Sequence, residues 1–168
     1  MLENTRIAFV GSGAMGGAMI SGLLSRKRIA PSDIVASDPQ REITEGLHNT
    51  YGVDVSRDNV AACKDADIVV HCGDFVGTDV VSKFRSLKNS PILVHGNSDP
   101  AEIRKTLPYV ETFSVGTFDF GVIHPAWGGP EFDPQELLKD FVKKPNIILF
   151  GHIHEPLDKT IGNVRYIN

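Results

Sequence analysis

The first seventy residues alternate short apolar runs with segments of helical periodicity. Arg6–Val10 is a β-branched and aromatic run that ends at Gly11, and small and apolar residues recur at helical spacing over Ala14–Ser25. The signals that follow are a strand over Asp33–Ser37, a helix over Pro39–Thr50, a strand over Tyr51–Val55, a crossover over Ser56–Asp65 and a strand over Ala66–Cys72. This alternation predicts an α/β fold with a doubly wound, mostly parallel sheet.

In the second half, strand signals outnumber helix signals. They are, in order, a helix over Thr78–Leu87, a strand over Pro91–Val94, a helix over Glu102–Leu107, strands within Thr112–Ile123, a helix over Pro134–Val142, and strands over Asn146–Phe150 and Val164–Ile167. A second, small sheet packed on the first would bury the surplus strands. Because 168 residues suit one sizeable core, we predict a single compact domain over residues 1–168.

Composition excludes several classes of function. The net charge is −4 and no long basic run occurs, which argues against a nucleic-acid-binding surface. No apolar run reaches the roughly 18 to 20 residues that span a bilayer, so we expect no membrane segment. Two cysteines and a polar start without an apolar signal segment favour the cytoplasm. The oligomeric state stays open.

A glycine-rich loop follows the first strand and opens the first helix. Its residues are Gly11, Ser12, Gly13, Ala14, Met15 and Gly16. In a Rossmann-like start, Gly11 permits the tight turn, Gly13 lets the backbone approach a pyrophosphate, and Gly16 lets the helix pack closely on the sheet. Asp38 would accept a hydrogen bond from a ribose hydroxyl, whereas Arg41 would receive a 2′-phosphate. NADP and NAD both stay open as cofactors, as does a glycine-rich turn that binds nothing.

Residues 6–70 resemble the N-terminal part of pyrroline-5-carboxylate reductase. The resemblance rests on IAFVGSGAMGGAMISGLL, IVASDP, YGVDVSRDN and ADIVV, in that order. It implies a dinucleotide-binding segment, spanning 1–70, whose glycine loop contacts NADP. In that family a long helical dimerisation region follows and completes the substrate site. This sequence continues differently after ADIVV, so reductase activity is not expected.

Potential metal ligands follow the predicted strands of the second half. They lie in Gly73-Asp74, Gly96-Asn97-Ser98-Asp99, His124 and Gly151-His152-Ile153-His154. Oxygen and nitrogen donors without a thiolate suit Mn²⁺, Fe, Ni²⁺ or Zn²⁺. Each piece also has an ordinary alternative, since Gly-Asp is a common turn, His124 could cap a loop, and His152 and His154 could share one face of a hairpin.

The ordered set of motifs resembles the calcineurin-like metallophosphoesterases, especially their small phosphodiesterases. HCGDF, VHGNSD, IHPAWGGP and FGHIHEP carry this resemblance within residues 67–168, and the phosphoesterase-like segment is assigned to 71–168. It implies attack of a metal-held hydroxide on a phosphodiester, with Asp74, Asn97 and His124 as catalytic residues. It further implies that Asp74 bridges two metals, that Asn97, His124 and His152 complete one site, and that His154 belongs to the other.

One motif of that family is missing. Its first motif, Asp-x-His, would fall where this sequence has Ser12 and Ala14, so we expect weak or absent hydrolysis of a small-molecule phosphate or phosphodiester. Two half-families joined near Val69–His71 indicate a chimera, natural or engineered. The alternatives are a module that binds NAD(P) without reductase activity and an engineered chimeric scaffold with no activity.

Other reactive or aromatic side chains are expected to pack rather than to act. We assign that role to His48, His71, Cys72, His95 and Trp127.

Overall fold

The computed structural model describes residues 5–25, 29–128, 132–155 and 157–168. The chain divides into two compact units. The first extends to Val69 and takes in Ser86–Ser90, and the second comprises Val70–Arg85 and Pro91–Asn168. The division therefore falls where the sequence motifs change from reductase-like to phosphoesterase-like. The single shared core stays a prediction.

The first unit is built around a parallel sheet of three strands. Its elements are β1 (Ile7–Val10), α1 (Ala14–Ser25), a 3₁₀ helix (Pro31–Asp33), β2 (Ile34–Ser37), α2 (Arg41–Tyr51), β3 (Asp54–Ser56) and α3 (Asn59–Cys63). The strand order is β1-β2-β3, with Ile7 opposite Ile34. Ile20 of α1 and Leu47 of α2 bury their side chains with Ile34, because the apolar faces of both helices pack against this core.

The second unit contains two sheets. Its elements are β4 (Val70–His71), α4 (Thr78–Arg85), β5 (Ile92–Leu93), α5 (Ala101–Thr106), β6 (Val110–Val115), β7 (Phe118–Ile123), a 3₁₀ helix (Pro134–Asp140), β8 (Ile147–Phe150), β9 (Asp158–Ile161) and β10 (Val164–Ile167). Strands β4 and β5 pair in parallel, and the larger sheet has the order β6-β7-β8-β10-β9. Its core contains Ile123, Leu137, Ile148 and Tyr166, all fully buried. No helix in the described ranges is long and apolar enough to cross a membrane.

The predicted α/β class with mostly parallel pairing is confirmed, although some elements differ. The strand expected over Ala66–Cys72 narrows to Val70–His71. The preceding Asp67 accepts a hydrogen bond from the Arg6 backbone N–H through its carboxylate. The second-half helix is a 3₁₀ helix that ends at Asp140. Strand β9 escaped prediction because its residues, DKTI, are mostly polar and exposed, as befits an edge strand.

His71 packs, as expected, within an aromatic group. Its ring stacks on Phe75 at a centroid distance of 3.8 Å and meets Phe84 edge-on at 5.3 Å. The Nδ1 atom is buried and has no hydrogen-bond partner among the described residues. Burial lowers the pKa of His71 from 6.5 to about 4, with the neighbouring Asp99 charge acting in the opposite direction.

Replacing His71 with phenylalanine should flatten the pH dependence of stability in mild acid. Between pH 6.5 and about 4, the unfolded chain binds a proton at His71 that the folded protein excludes. The stabilisation is therefore complete above pH 6.5 and is lost as the pH falls through the folded-state pKa, by about 3 kcal/mol in all. Urea unfolding across this range measures the change. Equal losses in the wild type and in His71→Phe would contradict the account.

Candidate metal centre

Four predicted ligands follow strands of the second unit. Asp74 comes after β4, Asn97 after β5, His124 directly after β7 and His152 after β8. Strands β4 and β5 are parallel, as are β7 and β8, so each pair presents its carboxyl ends at one edge. The chain topology thereby brings together residues that are far apart in the sequence.

The four side chains form one connected cluster. The amide oxygen Oδ1 of Asn97 lies 3.0 Å from Nε2 of His124 and 2.8 Å from Nδ1 of His152. Oδ2 of Asp74 lies 3.4 Å from the same Nε2 of His124. The two imidazole rings meet edge-on with their centroids 5.4 Å apart. Asn97 thus connects the two imidazole rings, and His124 connects Asn97 to Asp74.

The tautomer of His124 leaves a lone pair on Nε2, the ring nitrogen that faces the cluster. Its Nδ1 lies 2.6 Å from the carbonyl oxygen of Cys72, and a carbonyl can only accept, so Nδ1 carries the proton. In the neutral ring, Nε2 then presents a lone pair to the oxygens of Asn97 and Asp74. Atoms that all accept are held together favourably by a cation, so the donor set fits a divalent metal ion.

Burial keeps His124 neutral. The side chain is 3% exposed, and this burial lowers the pKa of His124 below 6.5. The hydrogen bond to Cys72 and the charge of Asp74 act in the opposite direction but do not reverse the shift. His124 therefore offers a lone pair, rather than a positive charge, to Asp74 at neutral pH.

Glycines let the backbone approach this cluster closely. A Cβ added at Gly73 would lie 2.7 Å from Nδ1 of His124, and one at Gly151 would lie 2.8 Å from the same atom. A Cβ at Gly96 would overlap Oδ1 of Asp74 and come within 2.5 Å of its backbone nitrogen. The glycines of the predicted Gly-Asp, Gly-Asn and Gly-His motifs are therefore required sterically.

Two residues of the cluster adopt a left-handed backbone conformation. Asp74 has φ 60° and His152 has φ 84°, values that L-residues rarely adopt. Such strain is retained where the surrounding structure enforces it, and functional sites are common examples. The conformation turns both residues sharply at the ends of their strands.

Other predicted ligands lie outside the cluster. His154 is exposed, and within the described ranges no hydrogen bond or ion pair joins it to Asn97 or His124. The Asp99 carboxylate is occupied by backbone N–H groups. No three His, Cys, Asp or Glu side chains among the described residues, Asp74, His124 and His152 included, form a group that could hold a metal ion. The candidate site therefore depends on the Asn97 amide.

Three other residues that were expected to pack make contacts with their neighbours, although Trp127 is 39% exposed. Nδ1 of His48 lies 2.9 Å from the Val53 carbonyl oxygen. The His95 ring lies 5.8 Å from that of Tyr109, and the Trp127 ring lies 5.5 Å from that of Phe132, between centroids.

The glycine loop of the first unit has the geometry of a strand-turn-helix. Gly11 has φ 75°, and its N–H and that of Ser12 both donate to the Ser37 carbonyl. The buried Ser12 hydroxyl donates to the Phe9 carbonyl and accepts from the Ser37 N–H. This network fixes the turn and consumes two of the N–H groups that an anion would otherwise use.

The other predicted nucleotide contacts are distributed around that turn. A Cβ at Gly16 would lie 3.1 Å from the Gly11 oxygen, whereas one at Gly13 would meet nothing within 4 Å. Asp38 is 6% exposed, and its Oδ1 accepts from the Gln40 N–H. The side chains of Ala14 and Met15 lie outside the described part of the structure.

Two groups that support the candidate metal centre were not predicted from the sequence. The Cys72 carbonyl orients His124, and the Asn168 side chain donates to the Gly151 carbonyl at 3.2 Å beside His152. A backbone carbonyl leaves no signal in the residue type.

The family of the chain is shown by comparison with known proteins. The family model for the calcineurin-like phosphoesterase superfamily domain matches residues 47–168, which is more than half of the chain. The chain belongs to that superfamily. All four residues of the cluster lie within the matched range, and the glycine loop precedes it.

Two relatives illustrate this membership. Phosphodiesterase MJ0936 of Methanocaldococcus jannaschii is 23% identical, with 62% of this chain and 67% of that protein covered. The solution structure of Thermotoga maritima protein TM1076 is 37% identical and has a TM-score of 0.53, with 62% of this chain and 66% of that chain covered.

A second likeness involves a different family. Pyrroline-5-carboxylate reductase of Methanosarcina acetivorans is 33% identical over 41% of this chain, and the match covers 26% of the reductase. The chain thus spans about a quarter of the length of that reductase. The predicted combination of a reductase-like and a phosphoesterase-like segment is confirmed.

Replacing Gly96 with alanine should damage the candidate site. The new Cβ would collide with the backbone nitrogen and the carboxylate of Asp74, which cannot move without breaking the cluster. We expect the free energy of unfolding to fall by about 1 to 3 kcal/mol and the Mn²⁺ affinity to fall about tenfold or more. Thermal unfolding and calorimetric titration measure the two effects.

Gly46→Ala is the matched control. Gly46 lies in α2, and its added Cβ meets nothing within 4 Å. Since alanine favours a helix interior, this variant should be as stable as the wild type or gain about 0.5 to 1 kcal/mol. Unchanged Mn²⁺ affinity in Gly96→Ala would contradict the steric argument.

Proposed function

We propose that this protein is a metallophosphoesterase-like protein that binds one divalent ion through Asp74, Asn97, His124 and His152. The observation that carries the proposal is the position of the Asn97 oxygen, within 3.0 Å of two imidazole nitrogens and beside a carboxylate. Membership of the calcineurin-like phosphoesterase superfamily supports it. Oxygen and nitrogen donors favour Mn²⁺, Fe, Ni²⁺ or Zn²⁺.

Each residue has a distinct role in this proposal. A bound ion would act as a Lewis acid on a phosphoryl oxygen and would make a nearby water more acidic. Asp74 supplies the negative charge that attracts the cation. His124 contributes Nε2, since its Nδ1–H is held by the Cys72 carbonyl, and Asn97 contributes a neutral oxygen between the two rings. Asp74, Asn97 and His124 would also face the substrate phosphate.

We further propose that hydrolysis is weak or absent. Ser12 and Ala14 stand where the family resemblance expects the Asp-x-His pair, and neither an alanine nor a single hydroxyl replaces a carboxylate and an imidazole as metal ligands. Only Asp74 and His154 would then remain for a second ion. A two-metal site stabilises both the attacking and the leaving oxygen, so loss of one ion removes much of that stabilisation.

The ligand in this proposal is a small-molecule phosphate or phosphodiester. The chain carries a net charge of −4, which would repel this ligand. The bound cation would supply the positive charge that attracts it. We place the protein in the cytoplasm, since Cys63 and Cys72 are both free thiols.

The substitutions His152→Ala and His154→Ala test whether His152, and not the nearby His154, is a ligand of the proposed site. The Kd for Mn²⁺ should rise about tenfold or more in His152→Ala, because one direct ligand is lost. It should change less than about twofold in His154→Ala, because His154 is exposed and, among the described residues, makes no hydrogen bond to the cluster. Calorimetric titration gives the Kd and the stoichiometry, for which we expect one ion per wild-type chain.

Hydrolysis of an aryl phosphodiester in the presence of Mn²⁺ is measured for the wild type, His152→Ala and His154→Ala. Turnover should be slow in the wild type and should follow Mn²⁺ occupancy, falling in His152→Ala. A wild-type protein that binds no Mn²⁺ at saturating concentration would refute the proposal. Equal Mn²⁺ affinity in the two histidine variants would refute the assignment of His152.

A second candidate function, NAD(P) binding by the first unit, rests on a specific observation. The glycine turn follows a parallel strand, Gly13 faces open space, and the reductase of Methanosarcina acetivorans is 33% identical over the matched part of the chain. We propose NADP rather than NAD as the ligand if Arg41, now paired with Glu45, turns to a 2′-phosphate. Reductase activity is not proposed.

Gly13→Ala tests this second function with little effect on the fold. Its Cβ would contact nothing within 4 Å in the protein, yet it would occupy space that an approaching pyrophosphate needs. NADP at about 100 times its Kd should stabilise the wild type by about 2.7 kcal/mol and should stabilise the variant less. Thermal unfolding with NADP and with NAD measures this. No stabilisation of the wild type by either nucleotide would reject the function.

A further inference from the structure

The carboxylate of Asp99 is buried and surrounded by backbone donors. The residue is 2% exposed, although it lies in the loop after β5. Oδ2 accepts from the N–H of Gly96 at 2.8 Å and from that of Asp74 at 3.2 Å, and Oδ1 accepts from the N–H of Val76 at 2.9 Å. A carboxylate that accepts three backbone N–H groups is fixed in place and cannot turn toward the cluster without losing these bonds.

Two of those donors belong to residues in a strained conformation. Asp74 has φ 60° and Val76 has φ 65°, and neither is a glycine. A β-branched residue such as Val76 is seldom found there, so the surroundings must enforce the turn. Bonds from a charged acceptor to both N–H groups stabilise this conformation, and the conformation sets the direction of the Asp74 side chain.

The same carboxylate joins two ligand-bearing loops. Its Oδ2 holds the Asp74 loop and, through Gly96, the loop that carries Asn97. A further hydrogen bond connects the same two loops, since the Ser98 N–H donates to Oδ1 of Asp74 at 2.8 Å. With one Asp74 oxygen so occupied, the other, Oδ2, lies 3.4 Å from His124. The relative positions of Asp74 and Asn97 thus depend on Asp99.

We infer that Asp99 is a positioning residue that sets the geometry of the metal centre without contacting the ion. This inference rests on the proposed function, since it presumes that Asp74 and Asn97 bind a metal. It assigns Asp99 of the Gly-Asn-Ser-Asp motif a role distinct from ligation. An aspartate is required because both oxygens must accept; in asparagine, one of them is replaced by a group that donates.

Asp99→Asn tests the inference, with Asp133→Asn as the matched control. Asp133 also accepts a backbone N–H, from Gln135, and lies in the same unit, but this bond caps a 3₁₀ helix and joins no ligand-bearing loops. Both changes remove one negative charge. The Kd for Mn²⁺ should rise about 10- to 100-fold in Asp99→Asn and should change less than about twofold in Asp133→Asn.

Amide hydrogen exchange without metal provides an independent readout. In the wild type, the N–H groups of Asp74, Val76 and Gly96 should be protected. In Asp99→Asn they should exchange about tenfold faster or more, after correction for global unfolding, while amides of β7 and β8 should not. A purely global loss of stability would accelerate all of them together.

The outcomes separate the two proposals. Lack of Mn²⁺ binding by the wild type refutes the proposed function, while the exchange rates still test Asp99. Unprotected amides at Asp74, Val76 and Gly96 in the wild type would overturn the inference even if Asp99→Asn fails to fold. A folded Asp99→Asn protein with wild-type Mn²⁺ affinity and exchange rates would also overturn it.

Discussion

The candidate centre depends on the hydrogen bond between His124 and the Cys72 carbonyl. This 2.6 Å contact fixes the proton on Nδ1 and therefore leaves a lone pair on Nε2, which faces the oxygens of Asn97 and Asp74. Burial keeps the ring neutral. A cation between these acceptors would offset their mutual repulsion, and this is the electrostatic basis of the proposed metal site.

Backbone geometry maintains this arrangement. Gly73 and Gly151 let two strand ends approach the His124 ring, and Gly96 lets the Asn97 loop approach Asp74. The strained turns at Asp74 and Val76 are held by Asp99. The positions of the side chains are therefore determined largely by backbone contacts. An added methyl group or a lost hydrogen-bond acceptor at these contacts would displace the side chains directly.

Periodicity and motif order predicted a large part of this protein. Helix α1 begins and ends where the apolar spacing placed it, and the ordered Gly-Asp, Gly-Asn, His and Gly-His motifs anticipated which side chains would meet. Contacts between residues that are distant in the sequence and meet only in the folded chain could not be predicted in this way. The Asp99 carboxylate accepts hydrogen bonds from backbone N–H groups instead of joining the cluster, because local sequence does not show which N–H groups will be nearby.

The central claim is that Asp74, Asn97, His124 and His152 share one divalent ion. Anomalous diffraction from a crystal soaked with Mn²⁺ tests it most directly, since the signal locates the ion without reference to activity. The account predicts one peak, within coordination distance of the Asn97 oxygen and of both imidazole rings. Saturating Mn²⁺ that gives no peak there, or a peak bound elsewhere, would contradict it.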